Sequence, residues 1–171
     1  IGMTTIAAAY IDDRKRVADC LEKIGYSSKH LMTLINDVLD MSKIDEGKMK
    51  IAHEEFNLEK VIESVTSIIY PQAVESMIGF EARQIEPMEH YYVGDALRIK
   101  QILMNLLSNA LKFTPAQGKI LVSTREEKRT NGYAYVQITV EDSGIGMSEE
   151  FKERIFQPFE QESAEIGRAS C

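Results

Sequence analysis

From Arg14 to Ile44 apolar and small residues recur in alternating steps of four and three: Val17, Leu21, Ile24, Ser28, Leu31, Ile35, Val38 and Ser42. That spacing is a heptad seam and predicts one long helix. The flanking positions are also apolar or small, with Cys20, Ser27, Leu34 and Met41 on one side and Ala18, Gly25, Met32 and Leu39 on the other. A stripe this wide exceeds what one partner helix covers and suits a four-helix bundle. The run IGMTTIAAAYI ahead of it reads as the end of an earlier helix, with Asp12 and Asp13 forming a turn and cap. Two helices per chain complete such a bundle only if two chains associate, so the pattern predicts a homodimer. The competing reading is an intramolecular bundle whose other helices lie elsewhere.

The heptad pattern breaks at Gly47 and the composition shifts, which places a helical hairpin at 1–45, a linker at 46–53 and a second domain at 54–171. In that domain residues 58–77 read as a helix, IGFEARQIE as a strand, and residues 95–113 as a helix with Asp95 near its N-cap. KILVSTREE and YAYVQITVED alternate as strands and are joined through Asn131-Gly132, a hairpin turn pair; EEFKERIFQPF reads as a short final helix. The mixed order predicts an α+β fold, an α/β sandwich rather than a doubly wound parallel sheet. On the helix 95–113 the expected core face is Ile99, Ile102, Leu103, Leu106, Ala110 and Leu111. The expected polar face is Arg98, Gln101, Asn105, Ser108, Asn109 and Lys112.

Charge narrows the function classes. The net charge is −7 and no Lys/Arg-rich block occurs, which argues against a nucleic-acid binder held by phosphate contacts but leaves room for a nucleotide. Cys20 and Cys171 form no CxxC pair, so a reducing cytosol is expected. His30, His53 and His90 have no zinc-site spacing. The N-terminal apolar run is short and lacks a basic leader, so this segment is expected to be cytosolic and not membrane-inserted. A membrane anchor elsewhere in a longer protein stays open.

Two stretches carry candidate chemistry. Asn105, Asn109 and Lys112 align on one helical edge, offering two amide oxygens and an ammonium; the bland alternative is a solvated face. In VEDSGIGM a strand delivers Asp142 to its tip, ahead of Gly144 and Gly146. An ionised Asp only accepts hydrogen bonds and suits a ligand offering an amine, and the glycines permit positive φ and close backbone approach. Alone, DxGxG is a weak signal. In this order and spacing, NLLSNALKF and DSGIG resemble the asparagine box and first glycine box of bacterial sensor histidine kinases, within the ATPase superfamily that includes gyrase and Hsp90. RIFQPFEQ at 154–161 resembles their phenylalanine box, and SSKHLMTLINDVLDMSKID at 27–45 their second dimerisation helix. The nearest likeness is to the hybrid-type sensor kinases.

The resemblance implies a Bergerat-type sandwich that binds ATP with Mg²⁺. It implies Asn109 on the metal through its side-chain oxygen, Asn105 beside it on the metal or its waters, and Lys112 on a phosphate oxygen. Phe113 would stack on adenine, replacing the family's usual tyrosine, and Asp142 would accept from the adenine amine. Gly144 and Gly146 would let the loop turn beside the base, while Phe156 and Phe159 would seat a lid or act as ordinary core aromatics. The implied parent transfers the γ-phosphoryl group to a histidine and then to an aspartate on a response regulator.

Two family features are absent from the sequence: the acceptor-histidine box, expected before IGMTT, and the second glycine box, expected soon after FEQESAEIGR. The simplest account is a piece of a longer kinase in which ASC need not be native. The chain alone is then expected not to autophosphorylate. His30 falls on the outer face of the heptad, His53 in the linker and His90 in a loop; none has the acceptor context. Competing readings are a non-catalytic dimerisation and nucleotide-sensing module, and another enzyme of the superfamily such as a serine-phosphorylating anti-sigma factor or a chaperone-type ATPase.

Overall fold

The computed structural model describes residues 2–155 and divides the chain into two compact units, Ile1–Ile51 and Ala52–Cys171. The first is a helical hairpin, α1 (Gly2–Ala9) and α2 (Arg14–Asp45). The turn forms where the two aspartates predict it. Asp13 is the N-cap of α2, its Oδ1 accepting from the Arg16 amide at 3.1 Å, which satisfies one of the open donors of the first turn. Arg16 also lies over the Tyr10 ring, 3.9 Å from its centroid. Cys20 is buried (2% exposed), with Val17 and Ile24 half-buried beside it. Farther along α2 the apolar seam lies open: Leu31 is 58% exposed, and Leu34, Ile35, Val38, Leu39 and Met41 are exposed as well. At the usual rise α2 is about 48 Å long and α1 about 12 Å, so α1 can cover only a fraction of that stripe.

The second unit runs β1 (Glu54–Asn57), α3 (Leu58–Glu75), β2 (Gly79–Gln84), β3 (Tyr91–Gly94), α4 (Ala96–Phe113), β4 (Lys119–Thr130), β5 (Tyr133–Asp142) and α5 (Glu149–Lys152). It is an α+β sandwich, with α3 and α4 packed together and against a sheet of order β2-β4-β5, in which β2 pairs with β4 in parallel and β4 with β5 antiparallel. The core joins Val65, Ile69 and Ala73 of α3, Leu103, Leu107 and Ala110 of α4, and Ile120 and Val122 of β4, with Ile78 beside them. Each fully buried Ile, Leu or Val stabilises by about 1.5–3 kcal/mol relative to its exposed state. The β4–β5 turn is built on Asn131 (φ 52°) and Gly132 (φ 79°), the two left-handed residues of a type I′ hairpin.

Three details differ from the sequence expectation. A four-residue strand, β1, pairs antiparallel with β3 from Glu54↔Gly94 to Asn57↔Tyr91; EEFN is too short and too polar to show alternation. The helix expected over 58–77 closes at Glu75, because Met77 turns to φ 57° and the Ile78 amide bonds back to the Ala73 carbonyl at 2.8 Å. Of the final helix, only Glu149–Lys152 is seen; the reading from Phe156 onward, with Phe156 and Phe159, lies outside the described residues. Among the described residues, no helix is long and apolar enough to cross a membrane.

A polar clip joins the β1–β3 ribbon to β4. The Tyr92 hydroxyl donates to Glu126 Oε2 at 2.8 Å, and Arg129 grips the same carboxylate through Nε at 2.9 Å and a terminal nitrogen at 3.0 Å. Burial, then the hydrogen bond to Glu126, pushes the Tyr92 hydroxyl up to about 12. The folded pKa therefore lies above the unfolded value of about 10, so the clip's contribution is fully present below pH 10 and is lost as pH rises toward 12. Chemical denaturation at pH 9 and pH 11.5 should show a steeper alkaline loss of stability for the wild type than for Tyr92→Phe. Equal losses would show that this hydroxyl is not protonated preferentially in the fold.

Candidate functional site

The candidate residues sit on α4, at the tip of β5 and on the loop that follows it. Helix α4 begins at Asp95, whose Oδ1 accepts from the Arg98 amide at 3.0 Å. It packs through Ile99, Leu103, Leu107 and Ala110, a line of steps of four, four and three. This corrects the expected core face. Ile102 (59% exposed) and Leu106 (46%) face outward, whereas Leu107, absent from that set, is 1% exposed. The apolar pairs 102/103 and 106/107 make the stripe ambiguous, and contact with α3 and β5 selects the second member of each.

Asn105, Asn109 and Lys112 are all exposed on the outward side, as expected, and share it with Ile102, Leu106 and Phe113. The Lys112 ammonium stands 4.9 Å from the centroid of the Phe113 ring, a cation–π distance.

The strand tip is fastened to the end of that helix. The Ile145 amide donates to the Phe113 carbonyl at 3.3 Å, and the Ser143 amide to the Lys119 carbonyl at 3.0 Å, while Ser143 Oγ accepts from the Lys119 amide at 2.8 Å. Asp142 Oδ1 accepts from the Gly144 amide at 2.8 Å, so the carboxylate is oriented by its own turn. The two glycines divide the labour expected of them. A Cβ on Gly144 would stand 2.5 Å from Asp142 Oδ1 and 2.7 Å from the Phe113 carbonyl oxygen, so this position is glycine for want of space. Gly146 is open on all sides but has φ +70°, so it is glycine for conformation.

The sequence reading missed the supporting half of this joint. Gly118 is as crowded as Gly144: a Cβ there would meet Thr114 Cγ2 at 2.4 Å, the Pro115 carbonyl oxygen at 2.8 Å and Ser143 Oγ at 2.9 Å. Thr114 is buried, and its Oγ1 is a buried side-chain oxygen without a hydrogen-bond partner. The glycine in TPAQGK was the available signal, but it reads as an ordinary turn without the neighbouring strand. A cavity of about 180 Å³ lies elsewhere, between the start of α3 and the β2–β4 pair, lined among others by Ile62, Thr66, Ala82 and Thr124. It includes none of the candidate residues; their arrangement is an open edge. His90 pairs with Glu59 at 3.5 Å on the surface.

Comparison with known proteins shows which family the chain belongs to. The family model of the histidine kinase-, DNA gyrase B- and HSP90-like ATPases matches residues 94–170. The solved catalytic domain of the histidine kinase ThkA is 32% identical, with a TM-score of 0.56 over 66% of this chain and 71% of that one. The chain belongs to the sensor histidine kinases. Among curated kinases, the autoinducer 2 sensor kinase/phosphatase LuxQ of Vibrio vulnificus is 35% identical over 162 residues, 94% of this chain and 19% of LuxQ. The chain thus spans about a fifth of the length of that relative. Full-length ShkA, solved in complex with AMPPNP, is 29% identical with a TM-score of 0.70, covering 91% of this chain and 32% of that one. ThkA in complex with the response regulator protein TrrA is 27% identical with a TM-score of 0.63, over 93% of this chain and 47% of that one. The span matched to the kinase ATPase family contains Asn105, Asn109, Lys112, Phe113, Asp142, Gly144 and Gly146.

The joint makes an unequal prediction for the two glycines. Gly144→Ala should cost about 1–3 kcal/mol by forcing the loop off α4, whereas Gly146→Ala should cost about 1–2 kcal/mol from its left-handed backbone alone. Thermal melts should rank Gly144→Ala as the less stable. In hydrogen exchange, only that variant should expose the Ile145 amide; protection retained there would show that the loop has room to spare.

Proposed function

We propose that this chain is the helical-hairpin and ATP-binding region of a two-component sensor kinase. The longer protein binds Mg-ATP and transfers the γ-phosphoryl group to a histidine, then to an aspartate of a response regulator. One observation carries the reading: the turn that begins at Asp142 is bonded through the Ile145 amide to the C-terminal end of α4, next to the edge formed by Asn105, Asn109 and Lys112. From Asn105 to Phe113 that edge is about 12 Å long at the helical rise.

Asp142 accepts from the exocyclic amine of adenine, while Gly146 lets the chain turn beside the base. Guanine presents a carbonyl at that position, and the unpaired acceptor costs about 1–3 kcal/mol; this is the source of ATP-over-GTP selectivity. The half-exposed Phe113 ring stacks on the base, and Lys112 leaves that ring for a phosphate oxygen.

The donor set fits Mg²⁺ arriving with its nucleotide. Among the described residues there is no group of three or more His, Cys, Asp or Glu able to hold a metal alone, and Asn109 and Asn105 offer neutral oxygens to a hard cation already carrying phosphate charge. When bound, the ion neutralises charge on the phosphates during transfer.

The open seam of α2 is the surface through which two chains form a four-helix bundle. Residues 1–45 act as the dimerisation hairpin, 46–53 as the linker and 54–171 as the ATP-binding domain. The cytosol is the expected compartment.

In the full-length kinase, Asp142→Asn should weaken ATP binding about 5- to 150-fold, the equivalent of 1–3 kcal/mol. Asn109→Ala should lower Mg²⁺-dependent turnover more than adenine affinity. Nucleotide titration and autophosphorylation assays at varied Mg²⁺ separate the two, and parental values in both variants would overturn the assignment. Leu31→Glu with Ile35→Glu should convert a dimer to a monomer in sedimentation equilibrium; an unchanged dimer would place the interface elsewhere.

A further inference from the structure

Asp95 does more than cap α4. Its two carboxylate oxygens are shared between distant parts of the chain: Oδ1 accepts from the Arg98 amide at 3.0 Å and Oδ2 from the Ala52 amide, also at 3.0 Å and 43 residues away in sequence. The hydrogen bond from Ala52, then that from Arg98, holds this carboxyl below the usual carboxylate range. Ala52 is the first residue of the second unit. Two residues later β1 begins its pairing with β3, Glu54 opposite Gly94, so the entering chain is laid against the residues that lead directly into α4.

We propose that Asp95 is a positioning residue that ties the entering chain at Ala52 to the N-terminus of α4, so that a displacement of that chain moves the helix carrying Asn105, Asn109 and Lys112. The proposal rests on the nucleotide-binding role given to those three residues. Its physical basis is stiffness. Helix α4 is an unbroken 18-residue helix whose backbone hydrogen bonds run along its axis, so a shift imposed at its first turn is carried to its last. Without the Ala52 bond the same displacement would be absorbed by Ala52 and His53, which have no regular secondary structure and lead into β1.

Asp95→Ser separates capping from tying. Serine is a good N-cap, but its single, shorter hydroxyl cannot serve both amides. Ala52→Pro removes the other partner by deleting its N–H. In this chain, hydrogen exchange should show the Ala52 amide protected in the wild type and unprotected in Asp95→Ser. In the full-length kinase both variants should lower the autophosphorylation kcat at least tenfold and leave the KM for ATP within about twofold. The double variant should lose no more than either single one. Loss of Ala52 protection with unchanged kcat would reduce Asp95 to a simple cap, and a raised KM with a lowered melting temperature would mark it as merely structural. If wild-type kinase binds no ATP at α4, the functional reading fails; the exchange experiment still tests whether the tie exists.

Discussion

The second unit depends on one close approach of backbone to backbone, where the loop after β5 meets the last carbonyl of α4. There is no room for a side chain at Gly144, and the Phe113 carbonyl is satisfied from across the gap by the Ile145 amide. Gly118 admits the same closeness from the β4 side, with Ser143 bridging to Lys119. A carboxylate that ends a strand is thereby held beside the end of a helix whose outer edge carries amides and an ammonium. Neither element would form a site alone: the strand tip offers an acceptor with nothing beside it, and the helix offers a polar face like many others.

The same economy governs the helix layer. α4 buries Leu103, Leu107 and Ala110 against the sheet, and what is left over faces out. That remainder is not uniformly polar, since Ile102 and Leu106 stand among Asn105, Ser108 and Asn109. The helical unit makes the same point on a larger scale. Its cysteine is buried where the hairpin closes, while an apolar seam many turns long is open beyond it.

Polar residues lock the opposite end. Tyr92, Glu126 and Arg129 hold the β1–β3 ribbon to β4, and Asp95 holds Ala52 to α4. Both clips use a carboxylate that takes hydrogen bonds from two directions, and both join segments far apart in sequence. Helix α4 is therefore constrained at its first turn by side-chain chemistry and at its last by backbone packing.

Much of this could be read from residues alone, because it is local. Heptad spacing gave the long helix, Asp13 and Asp95 gave their caps and Asn131-Gly132 gave the hairpin, each a short-range pattern with one favoured conformation; the two boxes pointed to a kinase ATP-binding region by their resemblance to a family. The tertiary structure alone decided between equivalents. It chose Leu107 over Leu106 because only contact with α3 and the sheet distinguishes adjacent leucines, and it paired EEFN with a strand nearly forty residues on. It also gave Gly118 and Gly144 their purpose, since crowding at a glycine exists only once another segment has arrived beside it.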